Sequence, residues 1–512
     1  MVEYSSSPYV TWIKHLSDYP QNAKVVVVSE QQVEILVHPG HQPMIIPSSG
    51  NIYEVIDQED KTLQLYFYSL GWVIPVLSGG DKQKISAALK VVESVLDITP
   101  DEERSGAWNM LWDDHAICER LCVLLELKEL LVVRSVLGEA VIQKIDDHVK
   151  AIIRYLVEIL DNEKWKNNNH RVFHLLAAFI YAHATTDEEG KNKFRDQIEG
   201  FINELIDQET GFSLEQSIAY CFFDLVIVKN VIETMNGLSA GLNVDAELIE
   251  NNLNSHIAAI SFPDGSMPAS GDSAHGRMLS SYQKKFMPEN SALAEHWRRL
   301  DKIGYYRGGA NDDSVHFLTL SHNAESAHGH ASPLHTDIWF ADFGFLMVDA
   351  GGPYKYGSKI RYQWYRASRG HNSLSLKTSN QQELEKLSID VDYNRSGLRG
   401  KADFKSSSHS RSLFAYSNEL YIHEAVAASE EWEVYYNFAE GCEIAPLREG
   451  EYAITKYDYG VRLILTTNLD PASLAIQQTE RCTGHSKSVS APSLVVSGNA
   501  DVIGWQLSIK RG

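Results

Sequence analysis

Cysteine is scarce and scattered, with five residues at positions 118, 122, 221, 442 and 482 and no Cys-x-x-Cys pair. That excludes a disulfide framework, and the four-residue spacing of Cys118 and Cys122 reads as two buried thiols on one helix face. Long apolar runs are also missing. No stretch approaches the roughly 18 apolar residues of a membrane span, and Met1-Val-Glu-Tyr-Ser has no basic segment followed by an apolar core as a secretory leader would. The chain is therefore expected to be cytoplasmic as given, or periplasmic or secreted if a leader was removed. Positive charge is in deficit, 46 Lys and Arg against 68 Asp and Glu, for a net charge of -22. This argues against nucleic acid and anionic membranes as partners, and a polyanionic ligand would need a cleft that opposes the global sign.

What is present is enough apolar material, 44% of 512 residues, for two or three cores. Residues 1–62 read as a small β-containing segment, with strands over Lys24–Val28 and Val33–Val37 and a turn at His38-Pro39-Gly40. Residues 63–270 change to a helical period. Apolar side chains recur three and four apart over 83–98, 114–137, 139–161, 170–186, 191–206, 213–236 and 243–260, as in the stripe Ile142, Ile145, Val149, Ile152, Ile153, Leu156. Periodicity alone leaves a toroid, a solenoid and a bundle open. Residues 271–512 alternate or run apolar at strand length over 314–320, 413–416, 419–426, 432–438, 461–465 and 493–496, so an antiparallel sheet or sandwich is expected, with Ser417-Asn418 as a hairpin turn. A cleft where the helical and β segments meet is the default place for a site.

Chemistry-bearing residues concentrate in the β part. His328-Gly-His330, His335-Thr-Asp337, Asp349 in Val-Asp-Ala-Gly, and His371 in Arg369-Gly-His371-Asn372 supply imidazole and carboxylate ligands for zinc or a similar cation; loop histidines satisfied by neighbouring carbonyls are the bland alternative. Residues 354–369 hold Tyr354, Tyr356, Tyr362, Tyr365, Trp364, Arg361, Arg366 and Arg369, a density suited to sugar stacking and bidentate anion pairing. In the helical part, Asn169 and His170 open a helix, where donors and the dipole favour an anion and where asparagine also caps. Glu215 and Tyr220 stand at the start of the next helix. Trp112, Asp113, Asp114, His115, Glu119 and Arg120 form an aromatic and polar cluster that reads either as a sugar contact or as a capping cluster with an ion pair. The loop Pro263 to Ser273 reads as a rigid connector.

These blocks resemble the heparinase II/III-like polysaccharide lyases. His-Gly-His-Ala at 328–331, Val-Asp-Ala-Gly at 348–351 and Tyr-Arg-Ala-Ser-Arg-Gly-His-Asn-Ser at 365–373 are similar to the family's His-x-His, Asp-x-Gly and Arg-(Ser/Thr)-x-x-Ala-His-Asn-Thr motifs, and the resemblance runs from about Trp112 to at least Asn372. It implies an incomplete α/α toroid followed by antiparallel β-sheet layers, and β-elimination at a uronic acid of an anionic polysaccharide, most plausibly a glycosaminoglycan such as heparan, chondroitin or hyaluronan. Carried over residue by residue, Asn169 and His170 match a carboxylate-binding pair, Tyr220 a base or acid, His328 a histidine beside the substrate, and Tyr356 a second tyrosine, with Tyr354 and Tyr362 as alternatives. His330, Asp349 and His371 match metal ligands, with zinc first and manganese or calcium as alternatives, and no organic cofactor is implied. Trp112, His115, Arg120, Glu215, Arg361, Arg366 and Arg369 are the expected substrate contacts.

Two departures stand out. Ser332-Pro333 replaces an acidic residue after the second histidine, so His335 or Asp337 could join the ligand set. The interval from Asp349 to His371 is also short. Rival readings are a non-catalytic glycan-binding or capsule-assembly protein on the same fold, an alginate or other uronan lyase, and a glycoside hydrolase pairing Asp113 or Asp114 with Glu215.

Overall fold

A computed structural model describes residues 8–16, 23–37, 42–48, 52–56, 58–59, 61–79, 81–97, 110–134, 139–162, 169–287, 299–310, 312–321, 328–330, 332–353, 355, 358–377, 384–392, 397–457, 462–484, 486–499 and 501–512. The chain divides into two compact units, Met1–Leu205 with Asp224–Ala246, and Ile206–Phe223 with Glu247–Gly512. This cut differs from a partition at 62 and 270. The N-terminal strands group with the helices, while 206–223 and most of the 246–260 helix group with the sheets.

The first unit opens with a three-stranded antiparallel sheet, Lys24–Ser29, Gln32–Leu36 and Met44–Pro47. Short helices follow at Lys61–Tyr68 and Val73–Gly79. The long helices are Lys82–Leu96, Asp114–Arg134, Glu139–Leu160, His170–Ala184 and Glu188–Leu205. Asp81 caps the first of these by accepting from the Gln83 and Lys84 amides, which satisfies two of the donors a helix start leaves over. Along Glu139–Leu160 the buried face is Ile145, Val149, Ile152, Leu156 and Ile159, the expected stripe. His170–Ala184 is instead apolar on nearly every side, with ten of its residues buried from Val172 to Ala182, so it is the central helix of its neighbours. Trp12 stacks on its Phe173 at 5.4 Å.

The second unit is antiparallel throughout. Its largest sheet has eight strands in the spatial order Cys442–Arg448, Glu451–Lys456, Arg462–Thr467, Val502–Arg511, Glu419–Ala428, Ser407–Tyr416, Gly397–Phe404, Leu384–Asp392. Two four-stranded sheets accompany it, Leu474–Gly484, Lys487–Asn499, Glu431–Asn437, Leu374–Leu376 and Tyr305–Gly309, Val315–Leu320, His335–Phe340, Gly344–Met347. Ser407–Tyr416 alternates buried and half-buried residues, the signature of a strand with one wet face. Tyr416 pairs with Glu419 across Ser417-Asn418, as the hairpin reading expects. All three sheets contribute to one core, including Phe317, Ile338, Leu346, Leu413, Ile422, Trp432, Val434 and Leu507. Trp432 stacks on Trp505 at 5.7 Å. Fold class therefore agrees with the expectation of a helical region followed by antiparallel sheets.

Strands such as Leu384–Asp392 and Leu474–Gly484 escape the sequence reading because their exposed faces are crowded with Glu, Lys, Gln and Thr. The helix expected from 213 begins at Ile218. Before it the chain turns at Gly211 (φ 74°) and Gln216 (φ 51°). All five cysteines are buried thiols outside any disulfide, and among the described residues no helix is long and apolar enough to cross a membrane.

Candidate active site

In the β-rich unit the organising group is Asp272, which is 1% exposed. Its Oδ2 faces His328 Nδ1 at 2.9 Å and accepts from Arg361 Nη2 at 2.6 Å, while Oδ1 faces His330 Nε2 at 3.1 Å. Burial alone would raise its pKa, but the two imidazoles and the guanidinium outweigh it and hold the carboxyl below the ordinary range. The backbone brings it there. Asp272 N–H donates to the His328 carbonyl at 2.8 Å. A Cβ on Gly271, which has φ 60°, would stand 2.6 Å from the Gln216 carbonyl and 2.8 Å from that of His328, so only glycine fits this crossing. Ser273 continues the junction, its Oγ accepting from Ala219 N–H at 2.9 Å in the first turn of the 218–237 helix.

That helix start carries Tyr220. Its ring stacks on His328 with centroids 3.4 Å apart and planes 15° from parallel. A phenol and an imidazole more than a hundred residues apart in sequence are thus face to face, and His328 is fixed from behind by Asp272.

A second cluster lies deeper. His330, Asp349 and His371 offer ligand atoms all within 4.8 Å of one another. Asp349 Oδ2 faces His371 Nδ1 at 2.7 Å, and its Oδ1 accepts from Gly351 N–H at 2.8 Å. His330 Nδ1 and His371 Nε2 are buried with no hydrogen-bond partner among the described residues. Two orphaned imidazole nitrogens beside a carboxylate fit a divalent cation better than they fit a closed polar core. His335 and Asp337 are otherwise engaged. The Asn372 N–H donates to His335 Nδ1 at 2.9 Å, its Nε2 faces Asp337 Oδ1 at 3.0 Å, and the same oxygen accepts from Asp349 N–H at 2.9 Å. They brace the cluster from outside it.

Further support comes from Arg411, fully buried, whose Nη1 donates to the Asn372 carbonyl at 2.6 Å and the Leu334 carbonyl at 2.7 Å. Its Nε and Nη2 fork onto Glu424 at 2.8 and 2.7 Å. His409 Nε2 lies 2.8 Å from the other oxygen of Glu424, and Tyr436 donates to the first.

The aromatic and arginine-rich segment forms a π-helical turn at Arg361–Tyr365, a form that concentrates at functional sites. Its arginines divide. Arg361 is buried on Asp272, so it holds the histidines rather than presenting itself to a ligand. Arg366 is half-buried and reaches the Gly329 carbonyl at 3.3 Å, between the two histidines of His-Gly-His. Arg369 is half-buried with its Nε on the Gln363 carbonyl. Tyr365 is fully buried, whereas Tyr362 is 53% exposed with the Arg361 guanidinium 5.4 Å from its ring centre. Tyr354 and Tyr356 lie outside the described residues. Glu215 is buried and precedes the helix rather than sitting inside it.

The helical unit holds its own titratable cluster. Asp114 Oδ2 faces His170 Nδ1 and His174 Nε2, both at 2.8 Å. Burial pushes this carboxyl up, and the two imidazoles more than reverse the effect and hold it well below the usual range. Asn169 does not cap with its side chain. Its Nδ2 donates to Asp224 at 3.2 Å, and its buried Oδ1 has no partner among the described residues. His115 Nε2 lies 2.9 Å from Glu119 and its ring 5.7 Å from that of His170. Trp112 stacks on His148 at 5.7 Å.

Arg120 is a correction. It is 0% exposed and donates to the carbonyls of Tyr68 and Leu111, which makes it a strut of the helical core that no ligand reaches. Sequence reasoning missed Asp272 and Asp224 as site residues; Gly271-Asp272-Ser273 was visible only as a stiff loop.

Residues 293–506 match the family described as heparinase II/III-like, C-terminal. Among solved structures the fold is similar to a heparinase III (TM-score 0.59, 13% identity, covering 100% of this chain and 85% of that one). It is also similar to a heparan sulfate lyase from Pedobacter heparinus (0.54, 16%, 93% and 81%) and to the chondroitin AC lyase of Streptomyces coelicolor A3 (0.51, 10%, 99% and 79%). No curated protein sequence matches. Residues 293–506 thus carry a heparinase II/III-like C-terminal domain, and the fold of the chain is similar to that of these lyases.

Proposed function

We propose that the protein cleaves a uronic-acid-containing glycosaminoglycan by β-elimination. The observation that carries this reading is the stacked Tyr220–His328 pair braced by Asp272. Elimination removes the proton on C5 of the uronate, forms the C4=C5 double bond and expels the oxygen on C4. The C5 proton is a weak acid, so catalysis needs a base at C5, a proton for the leaving oxygen and donors that neutralise the carboxylate as charge builds on it. Tyr220 is the proton-transfer group. A free phenol has a pKa of roughly 10, so its work as a base needs donors or positive charge close by. Asn169 and His170 are assigned the carboxylate, on the resemblance of their motif. Heparan sulfate and chondroitin, the substrates in the neighbours' names, are the first polymers to try.

His330, Asp349 and His371 would hold a divalent metal, with zinc favoured by two imidazoles and a carboxylate. Such an ion would tie the segments that carry His330, Asp349 and His371 together. The test is incubation with heparan, chondroitin, hyaluronan and alginate while near-ultraviolet absorbance is followed. Growth of absorbance on at least one polymer is expected, and a flat trace on all four contradicts the reading.

A further inference from the structure

In the helical unit, we propose that Asp114 is a positioning residue that fixes the ring and the tautomer of His170, so that Nε2 is the nitrogen His170 turns toward its ligand. The inference rests on the reading that His170 meets the substrate. Its geometric premise stands without that reading.

Asp114 is the first residue of its helix and 8% exposed, whereas the His170 side chain is 36% exposed. A buried carboxylate therefore backs an imidazole that reaches solvent. Its Oδ2 is shared between His170 Nδ1 and His174 Nε2 at 2.8 Å each. An ionised carboxylate only accepts, so both nitrogens carry hydrogen, and a neutral His170 is the Nδ1–H tautomer with the lone pair on Nε2. His174, with no exposure, is the second anchor that stops the carboxylate from rotating.

Capping does not explain Asp114. That task falls to Asp113, whose Oδ1 accepts from the His115 N–H at 3.0 Å. Position adds to the effect, because the positive end of the 114–134 helix stabilises the Asp114 anion. Among the described residues, Asp113 and His115 from that helix, with His115 held on Glu119, and His174 from its own also face His170. None of them offers His170 Nδ1 the short contact that Asp114 does. This arrangement is the second-sphere logic by which one nitrogen of a histidine is fixed so that the other can act.

The experiment is nitrogen-15 NMR of the His170 ring in the full chain at a pH where the ring is neutral, alongside steady-state kinetics. Wild type should show the Nδ1–H tautomer. Asp114→Ala should shift His170 to a mixture rich in Nε2–H and lower kcat by at least about tenfold, with a smaller change in KM, as loss of orientation does. Asp114→Asn keeps an oxygen in place and should retain both the tautomer and more of kcat than the alanine variant. An Nε2–H tautomer in wild type, or an unchanged tautomer in Asp114→Ala, overturns the proposal. If Asp114→Ala does not fold, the wild-type spectrum alone decides. If the wild type proves inactive on every uronan, it is the lyase reading that fails, and the spectra still decide the tautomer.

Discussion

The two units solve the problem of buried charge differently. In the helical unit one carboxylate serves two imidazoles, and one of these, His170, keeps a third of its side chain in solvent. In the β-rich unit His330, His371, Asp272 and Asp349 are each at most 1% exposed, and beneath them a further ionic group, His409, Arg411 and Glu424, is sealed in the core. Partial exposure suits a group that must meet a ligand and exchange protons. Complete burial suits groups whose task is to hold geometry, because charge in a low dielectric is tolerable only when fully paired. Tyr220 and His328 form the exception in the β-rich unit. Half-exposed Tyr220 stacks on His328, whose 13% exposed side chain is anchored on buried Asp272.

The comparison can be broken first through Tyr220. Tyr220→Phe removes one oxygen and leaves the stacking surface, so kcat is expected to fall by on the order of 10³-fold, the scale of lost acid–base catalysis, with an unchanged melting curve. Arg411→Leu has its effect on stability instead. It leaves Glu424 buried without its guanidinium and releases the Leu334 and Asn372 carbonyls, so a loss of about 3–5 kcal/mol is expected in urea unfolding. The acid limb of stability sharpens the same point. Burial raises the Glu424 pKa, but Arg411 and His409 outweigh it and bring it down to about 2, and burial lowers that of His409. Both shifts have one sign. At these two groups the unfolded chain binds more protons, so their contribution to stability is full above the ordinary histidine range, begins to fall as His409 would protonate, and falls steeply from about pH 4.5 toward about 2. Urea midpoints across that range should drop in wild type and less steeply in Glu424→Gln, the remaining slope coming from other carboxyls held low, Asp114 and Asp272 among them.

Smaller effects follow. Gly271→Ala forces a Cβ against two carbonyls at positive φ and should cost roughly 1–3 kcal/mol. It also displaces His328, so it should lower kcat along with stability. Asp81→Ala should cost only about 1 kcal/mol as a lost cap, with kcat unchanged. A kcat loss in Asp81→Ala would mean that the helical unit's stability and its chemistry are not separable.

Much of this was legible before the structure. The helices from 114 to 205 follow from apolar spacing because their buried faces are set by local periodicity, and Ser417-Asn418 announced its hairpin. The pairing of Tyr220 with His328 was expected only through family resemblance, since nothing local in either segment demands it. Asp272 was not legible as a hub. Its role depends on a backbone crossing at Gly271 and on Arg361, 89 positions onward, and no window of sequence joins them. The arginines mislead for a related reason: a guanidinium reads alike whether it faces a ligand or, like Arg120 and Arg411, bridges carbonyls inside a core. Met44–Pro47 is too short to announce itself, and the outer strands of the large sheet carry polar side chains on their open faces.

The most direct test of the central claim is the mass of the products released from a uronate polymer by wild type and by Tyr220→Phe. The account predicts wild-type fragments lighter by one water than hydrolysis would give, with ultraviolet absorbance, and their release slowed on the order of 10³-fold in a folded Tyr220→Phe. Fragments carrying the added water, or unsaturated fragments released by Tyr220→Phe at the wild-type rate, would contradict it.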